Sequence, residues 1–125
     1  MKRIEVLLAI AALAATTGSA LADDILGAWL RPDGTAKVKF ETCEDSLCGV
    51  IVWLKPGAET KAQLGQRVFF DVKPDGAGAW TGKAVSVDGG KTFSGQMAVS
   101  GPALTISGCL IGGFICKSAV WTRAP

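Results

Sequence analysis

Eight short segments that alternate apolar and polar side chains, separated by residues typical of tight turns, leave this chain few folds to choose from. The clearest segment is Ala36 to Thr42, where Ala36, Val38, Phe40 and Thr42 share one face and Lys37, Lys39 and Glu41 the other. Period-two alternation of this kind is the pattern of a half-buried antiparallel strand. The other candidates are Leu26 to Leu30, Leu47 to Leu54, Arg67 to Val72, Ala79 to Val87, Thr92 to Ser100, Ala103 to Gly108 and Ile115 to Thr122. Pro32-Asp33-Gly34, Pro74-Asp75-Gly76, Asp88-Gly89-Gly90 and Gly101-Pro102 supply turn chemistry between them.

Strands joined in sequence by tight turns make an up-and-down meander, and closing it into a barrel is what removes its exposed edges. The predicted fold class is therefore all-β: a small antiparallel barrel of about eight strands. Gly49, Gly82, Gly95 and Gly108 lie inside strand runs and permit the sharp coiling a small barrel needs, although a sandwich could use them too. Residues 55–66 have no strand character. Ala58 to Leu64 could form a short helical turn lidding one barrel mouth, or a plain surface loop. Leu47 to Leu54 is apolar on both faces, with Leu47, Ile51 and Trp53 on one and Val50, Val52 and Leu54 on the other. Such a strand needs a covering loop or a second subunit, so a homodimer through Leu47–Leu54 is one expectation.

Before the first strand, Met1-Lys2-Arg3 is a basic start, Val6 to Ala15 an unbroken apolar run, and Ala20-Leu21-Ala22 an A-x-A cleavage site. A membrane span needs about 18 or more apolar residues, and Thr16-Thr17-Gly18-Ser19 ends the run too early. The reading is a cleaved signal peptide over 1–22, a single domain over 23–125 with no transmembrane segment, and a periplasmic or secreted location. Without Lys2, Arg3 and Glu5 the mature chain keeps 11 basic and 10 acidic side chains, a balance that argues against nucleic acid as a partner. Its four cysteines, Cys43, Cys48, Cys109 and Cys116, read as two disulfides in an exported protein. Three pairings are open; Cys43 with Cys48 and Cys109 with Cys116 are favoured, because each pair encloses a stretch rich in turn formers. Zinc sites usually bring cysteines closer together than these intervals, so no metal is expected.

With no histidine, the chain lacks the usual general base, the usual partner of a nucleophile and the commonest metal ligand. Asp23-Asp24 and Glu44-Asp45 are adjacent carboxylates, and neighbours in a strand point to opposite faces. Neither pair converges on a substrate, and no cysteine sits in the C-x-x-C setting of a redox thiol. The expectation is a non-enzyme without cofactor. What remains is binding. Trp29, Trp53, Trp80, Trp121, Phe70, Phe93 and Met97 are expected to point inward, where they either fill the barrel or line a cavity for a small apolar molecule. Candidate ligand-binding residues are Trp53, Phe70, Trp80, Phe93 and Met97.

The blocks Trp29-Leu30-Arg31-Pro32-Asp33-Gly34, Cys43 to Gly49, Ile51-Val52-Trp53-Leu54-Lys55, Gly90-Lys91-Thr92-Phe93, Gly108-Cys109 and Cys116 to Arg123 together resemble an exported bacterial family catalogued as domain of unknown function 2147. The resemblance covers nearly all of the mature chain and implies no established activity. Members of that family carry a longer, proline-containing segment after the Trp-Leu-Lys block, which is shortened here between Lys55 and Arg67. At the level of fold, Gly27, Trp29 and Arg123 are similar to a pattern in the calycin group of lipocalins, fatty-acid-binding proteins and avidins. There a Gly-x-Trp opens the first strand and a cation from the last strand packs over the indole, closing one barrel end. That resemblance implies a lipocalin-like carrier of a small apolar or amphipathic molecule; the alternative is a non-catalytic envelope interaction or structural module with a filled core.

Overall fold

The computed structural model describes residues 25–111 and 115–125; the predicted signal peptide and its cleavage site lie outside them. The strands are β1 (Gly27–Leu30), β2 (Ala36–Cys43), β3 (Ser46–Leu54), β4 (Arg67–Pro74), β5 (Ala79–Val85), β6 (Thr92–Ser100), β7 (Ala103–Leu110) and β8 (Cys116–Arg123). Each pairs antiparallel with the next, and β8 returns to β1 to close the barrel. The closing seam is short, pairing Trp29 with Arg123 and Leu30 with Thr122. A bond from Ala124 N to Ala28 O (3.0 Å) extends it, while Arg123 N bonds Pro102 O (2.8 Å) on the β7 side. Among the described residues no helix is long and apolar enough to cross a membrane.

Turn residues set where the strands reverse. In the turn after β1, Asp33 Oδ1 accepts bonds from the Thr35 amide (3.1 Å) and hydroxyl (2.7 Å), and Gly34 takes φ +74°, a region costly for a residue with a Cβ. Connections 31–35, 55–66 and 86–91 gather at one end of the barrel, with Ile111 and Ile115. Connections 44–45, 75–78 and 101–102 gather at the other, with both ends of the described chain. The disulfides join Cys43 to Cys48 beside the 44–45 turn and Cys109, near the end of β7, to Cys116 at the start of β8, one at each end.

The two ends are built differently. At the 44–45 end the interior is filled: Ile25, Trp29, Phe40, Val72, Trp80 and Leu104 belong to the buried core cluster. Burying each such side chain contributes roughly 1.5–3 kcal/mol. Trp29 Nε1 donates to Ile25 O at 2.9 Å, so the indole's polar atom is satisfied inside the plug. The filled-or-hollow alternative is thus divided by height, and the other half of the barrel is open.

Bulges correct three expectations about sidedness. Lys37 pairs with Trp53 but Val38 with Ile51, so Val52 is an extra residue in β3. An inserted residue shifts the two-residue period by one. Leu54 therefore turns inward opposite Ala36, and Trp53, expected inward, lies outside opposite Lys37, whose Nζ stands 4.8 Å over the indole. In β4, Phe69 pairs with Ala84, Phe70 with Lys83 and Lys73 with Thr81, leaving an extra residue near Asp71, which has φ +52°. Phe69 and Val72 are both buried, and Phe70, expected inward, lies outside, 5.7 Å from the Arg67 guanidinium. The outer apolar face proposed for a dimer loses Leu54 to the interior and keeps half-buried Val50 and exposed Val52. Residues 55–66 form no helical turn.

Candidate functional site: the open half of the barrel

At the 55–66 end the strands splay around a cavity of about 500 Å³. Its walls include Val38, Ile51, Leu54, Val68, Phe69, Ala84, Phe93 and Trp121. A second compartment of about 210 Å³ adjoins it and shares Phe69, Ala84, Phe93, Lys117 and Trp121; Met97 and Ile106 complete its mainly apolar lining. Phe69 stands between the open and filled halves. Its ring lies 5.1 Å from that of Phe40 in the core and 5.9 Å, edge-on, from Trp121 in the cavity wall.

Register explains why the second compartment is hollow. Gly82 pairs with Gly95, Gly95 with Gly108, and Gly108 with Lys117. The row runs across β5, β6, β7 and β8 on the inner face, the face of Met97, Ile106 and Ala119, which follow the same alternation. Three successive strands thus present bare backbone where a closed core would have side chains. At Gly95 the reason is contact, since a Cβ there would lie 2.5 Å from Ser107 O and 3.1 Å from Gly108 Cα.

The rim is polar and carries both signs of charge. Arg31, Lys91, Lys117 and Asp88 line the mouth. Arg31 is paired with Asp33 at 3.5 Å. Asp88 caps its own turn: the Ser86 hydroxyl donates to Oδ1 at 2.6 Å and the Gly90 amide at 2.9 Å, and these bonds hold its carboxyl below the ordinary 3.8. The Thr35 hydroxyl does the same for Asp33. The loop 55–66 spans one side of the mouth, where Thr60 and Ala62 line it and Gln66 Nε2 donates to Val87 O at 2.8 Å. Leu64, Ile111 and Ile115 stand exposed on the loops of this end.

Of the candidate ligand-binding residues, Phe93 and Met97 come together on the cavity. Trp80 is buried in the filled half, and Trp53 and Phe70 are outside. Phe69, Trp121 and Lys117 line the cavity and were not among the candidates. Trp121 carried a signal, the alternation of β8; Phe69 was masked by the bulge that exchanges it with Phe70. At the filled end, Arg123 lies over Trp29, 3.9 Å from its ring, and Gly27 is close beneath, a Cβ there falling 3.4 Å from Arg123 Nη1. Glu41 approaches the Cys43–Cys48 pair, but those sulfurs are bonded to each other and offer no thiolate to a metal.

A family model described as "Uncharacterized protein conserved in bacteria (DUF2147)" matches residues 27–123. No curated protein matches the chain. Among solved structures, protein HP1028 from the human pathogen Helicobacter pylori, described as belonging to the lipocalin family, is similar with a TM-score of 0.63 at 16% identity. The likeness covers 81% of this chain and 83% of that one, and at that identity it shows a shared lipocalin-like fold.

Proposed function

The chain belongs to the uncharacterised bacterial family DUF2147, and from that premise we propose that it is an exported, non-catalytic binding protein that holds one small apolar or amphipathic molecule in its barrel. The observation that carries this reading is the open half: about 500 Å³ and an adjoining 210 Å³ walled by Phe69, Phe93, Met97, Ile106 and Trp121. Small-molecule sites have this size and this mostly apolar lining. The solved structure similar to this one is described as a lipocalin-family protein, which agrees with it. Two disulfides, in a chain that begins with a signal-like leader, support an oxidising compartment. Against an enzyme stands the site's inventory. The carboxylates with displaced pKa values, Asp33 and Asp88, are both lowered by turn hydrogen bonds, the opposite of a general acid held ready near neutral pH.

Two measurements test the reading. Native mass spectrometry of protein purified from the periplasm without detergent should show an extra mass that leaves on denaturation. The neutral fluorophore N-phenyl-1-naphthylamine should brighten with the protein and fail to do so with Ala84→Trp, which places an indole where both compartments meet. A clean mass together with no fluorescence response returns the barrel to the alternative of a structural or interaction module.

A further inference from the structure

We propose that Lys117 is the head-group anchor of this cavity, and that the occupant is a single-chain amphiphile with an anionic oxygen head, a carboxylate or a phosphate. The inference rests on the carrier reading above and adds the chemistry of the ligand.

The argument starts from the register of β8. Lys117 pairs with Gly108 on the inner face, in phase with Ala119 opposite Ile106 and Trp121 opposite Leu104. At the far end of the same strand, Arg123 pairs with Trp29 and also faces inward. Both ends of β8 therefore aim a cation along the barrel interior. Their surroundings differ. Arg123 is engaged at the plug, over the Trp29 ring and donating from Nη1 to Leu26 O at 2.8 Å. Lys117 lines both cavity compartments, and among the described residues no carboxylate makes an ion pair with it.

Lysine joins a long apolar stem to a charged tip, so on the inner face of an apolar wall it is an amphipathic fit to an amphipathic partner. Next to that stem the wall carries no side chains, because Gly108 and Gly95 follow it in register. A Cβ at Gly108 would meet nothing closer than 3.5 Å, so the wall there is bare without being crowded. A hydrocarbon tail laid along this wall reaches Phe93, Met97 and Ile106 while its head stays at the mouth. The charges around that head favour an anion. Arg31 and Lys91 stand on the same rim as Lys117. Asp88 on that rim and Asp33, which pairs with Arg31 at 3.5 Å, both carry negative charge, so the three cations stand against two carboxylates.

The test measures displacement of N-phenyl-1-naphthylamine by four twelve-carbon probes: dodecanoate, dodecyl phosphate, dodecanol and dodecylammonium. Both anions are expected to bind about ten- to a hundredfold more tightly than dodecanol, the range of a charge-assisted hydrogen bond, and dodecylammonium more weakly than dodecanol. Lys117→Met should bring the anions to within about twofold of dodecanol, leave dodecanol unchanged, and lose the salt dependence of anion binding; Lys117→Arg should keep the preference. A larger gain for phosphate than for carboxylate identifies the head. Equal binding of all four probes, unchanged in Lys117→Met, overturns this inference and leaves the carrier reading standing. Absence of binding by every probe, the neutral fluorophore included, overturns both.

Discussion

The Arg123 guanidinium lies 3.9 Å from the ring of Trp29 while its Nη1 donates to the carbonyl of Leu26 at 2.8 Å. One side chain from the last strand thus ties down the first strand and the segment before it, beside a seam of only Trp29–Arg123 and Leu30–Thr122 pairs. Arg123→Ala removes the stacking and the charged hydrogen bond together. The expected loss is about 1–2 kcal/mol, with Arg123→Lys intermediate because ammonium lacks the planar fork. Urea unfolding followed by tryptophan fluorescence reads it. Equal stability of Arg123→Ala and the parent would show that the seam holds without the cation.

Gly95 and Gly108 face each other across β6 and β7, yet they should respond differently to alanine. At Gly95 the added Cβ falls 2.5 Å from a backbone oxygen, whereas at Gly108 the nearest atom is 3.5 Å away. Gly95→Ala should destabilise by about 1–3 kcal/mol, the usual range for an overpacked site. Gly108→Ala should stay within about 1 kcal/mol of the parent, since reduced freedom of the unfolded chain offsets part of any strain. Thermal unfolding of the two variants side by side decides it, and equal losses would contradict the asymmetry.

Tryptophans on opposite sides of the wall separate core from surface. Trp80 is 3% exposed in the filled half, and Trp80→Ala should cost about 3–5 kcal/mol. Trp53 lies outside against Lys37, and Trp53→Ala should cost about 1 kcal/mol or less without changing fluorophore binding. If Trp53→Ala abolished that binding, the outward placement produced by the Val52 bulge would be wrong.

The mouth turns carry a pH signature. The carboxyls of Asp33 and Asp88 are lowered from 3.8, chiefly by the Thr35 and Ser86 hydroxyls respectively. A group whose folded value is depressed contributes its full stabilisation above the unfolded value, and loses it as pH falls through the folded one. The stability difference between the parent and Asp88→Ala should therefore be constant from pH 7 down to about 4 and close below that. Melting temperatures of both proteins across pH 7 to 2 show this, and a gap that persists at pH 2 would refute it.

Much of the barrel was legible in the chain because its signals are local. Turn residues such as Asp33-Gly34 and Asp88-Gly89-Gly90 act through bonds within a few positions, and the alternation in β2 appears in the structure as buried Ala36, Val38 and Phe40 between more exposed neighbours. The candidate site was legible only in part. Phe93 and Met97 lie on β6, whose pairing with β7 is in unbroken register from Phe93–Leu110 to Ser100–Ala103, and simple counting puts them inside. Counting fails on β3 and β4, where bulges near Val52 and Asp71 shift the period, so that Trp53 and Phe70 leave the interior and Leu54 and Phe69 enter it. Nothing in the local sequence marks those insertions, because a bulge is defined against the partner strand.

By itself the sequence determined the strand succession, the all-β class and the chemistry that is missing, since these depend on residue type and on neighbours along the chain. Only the tertiary structure decided that one half of the barrel is filled and the other open, that Gly82, Gly95, Gly108 and Lys117 form one row, and that the mouth bears the rim cations. The physical reason is that each of these is a cross-strand relationship. Its partners are far apart along the chain, and register, set by every bulge and turn between them, determines which side chains meet.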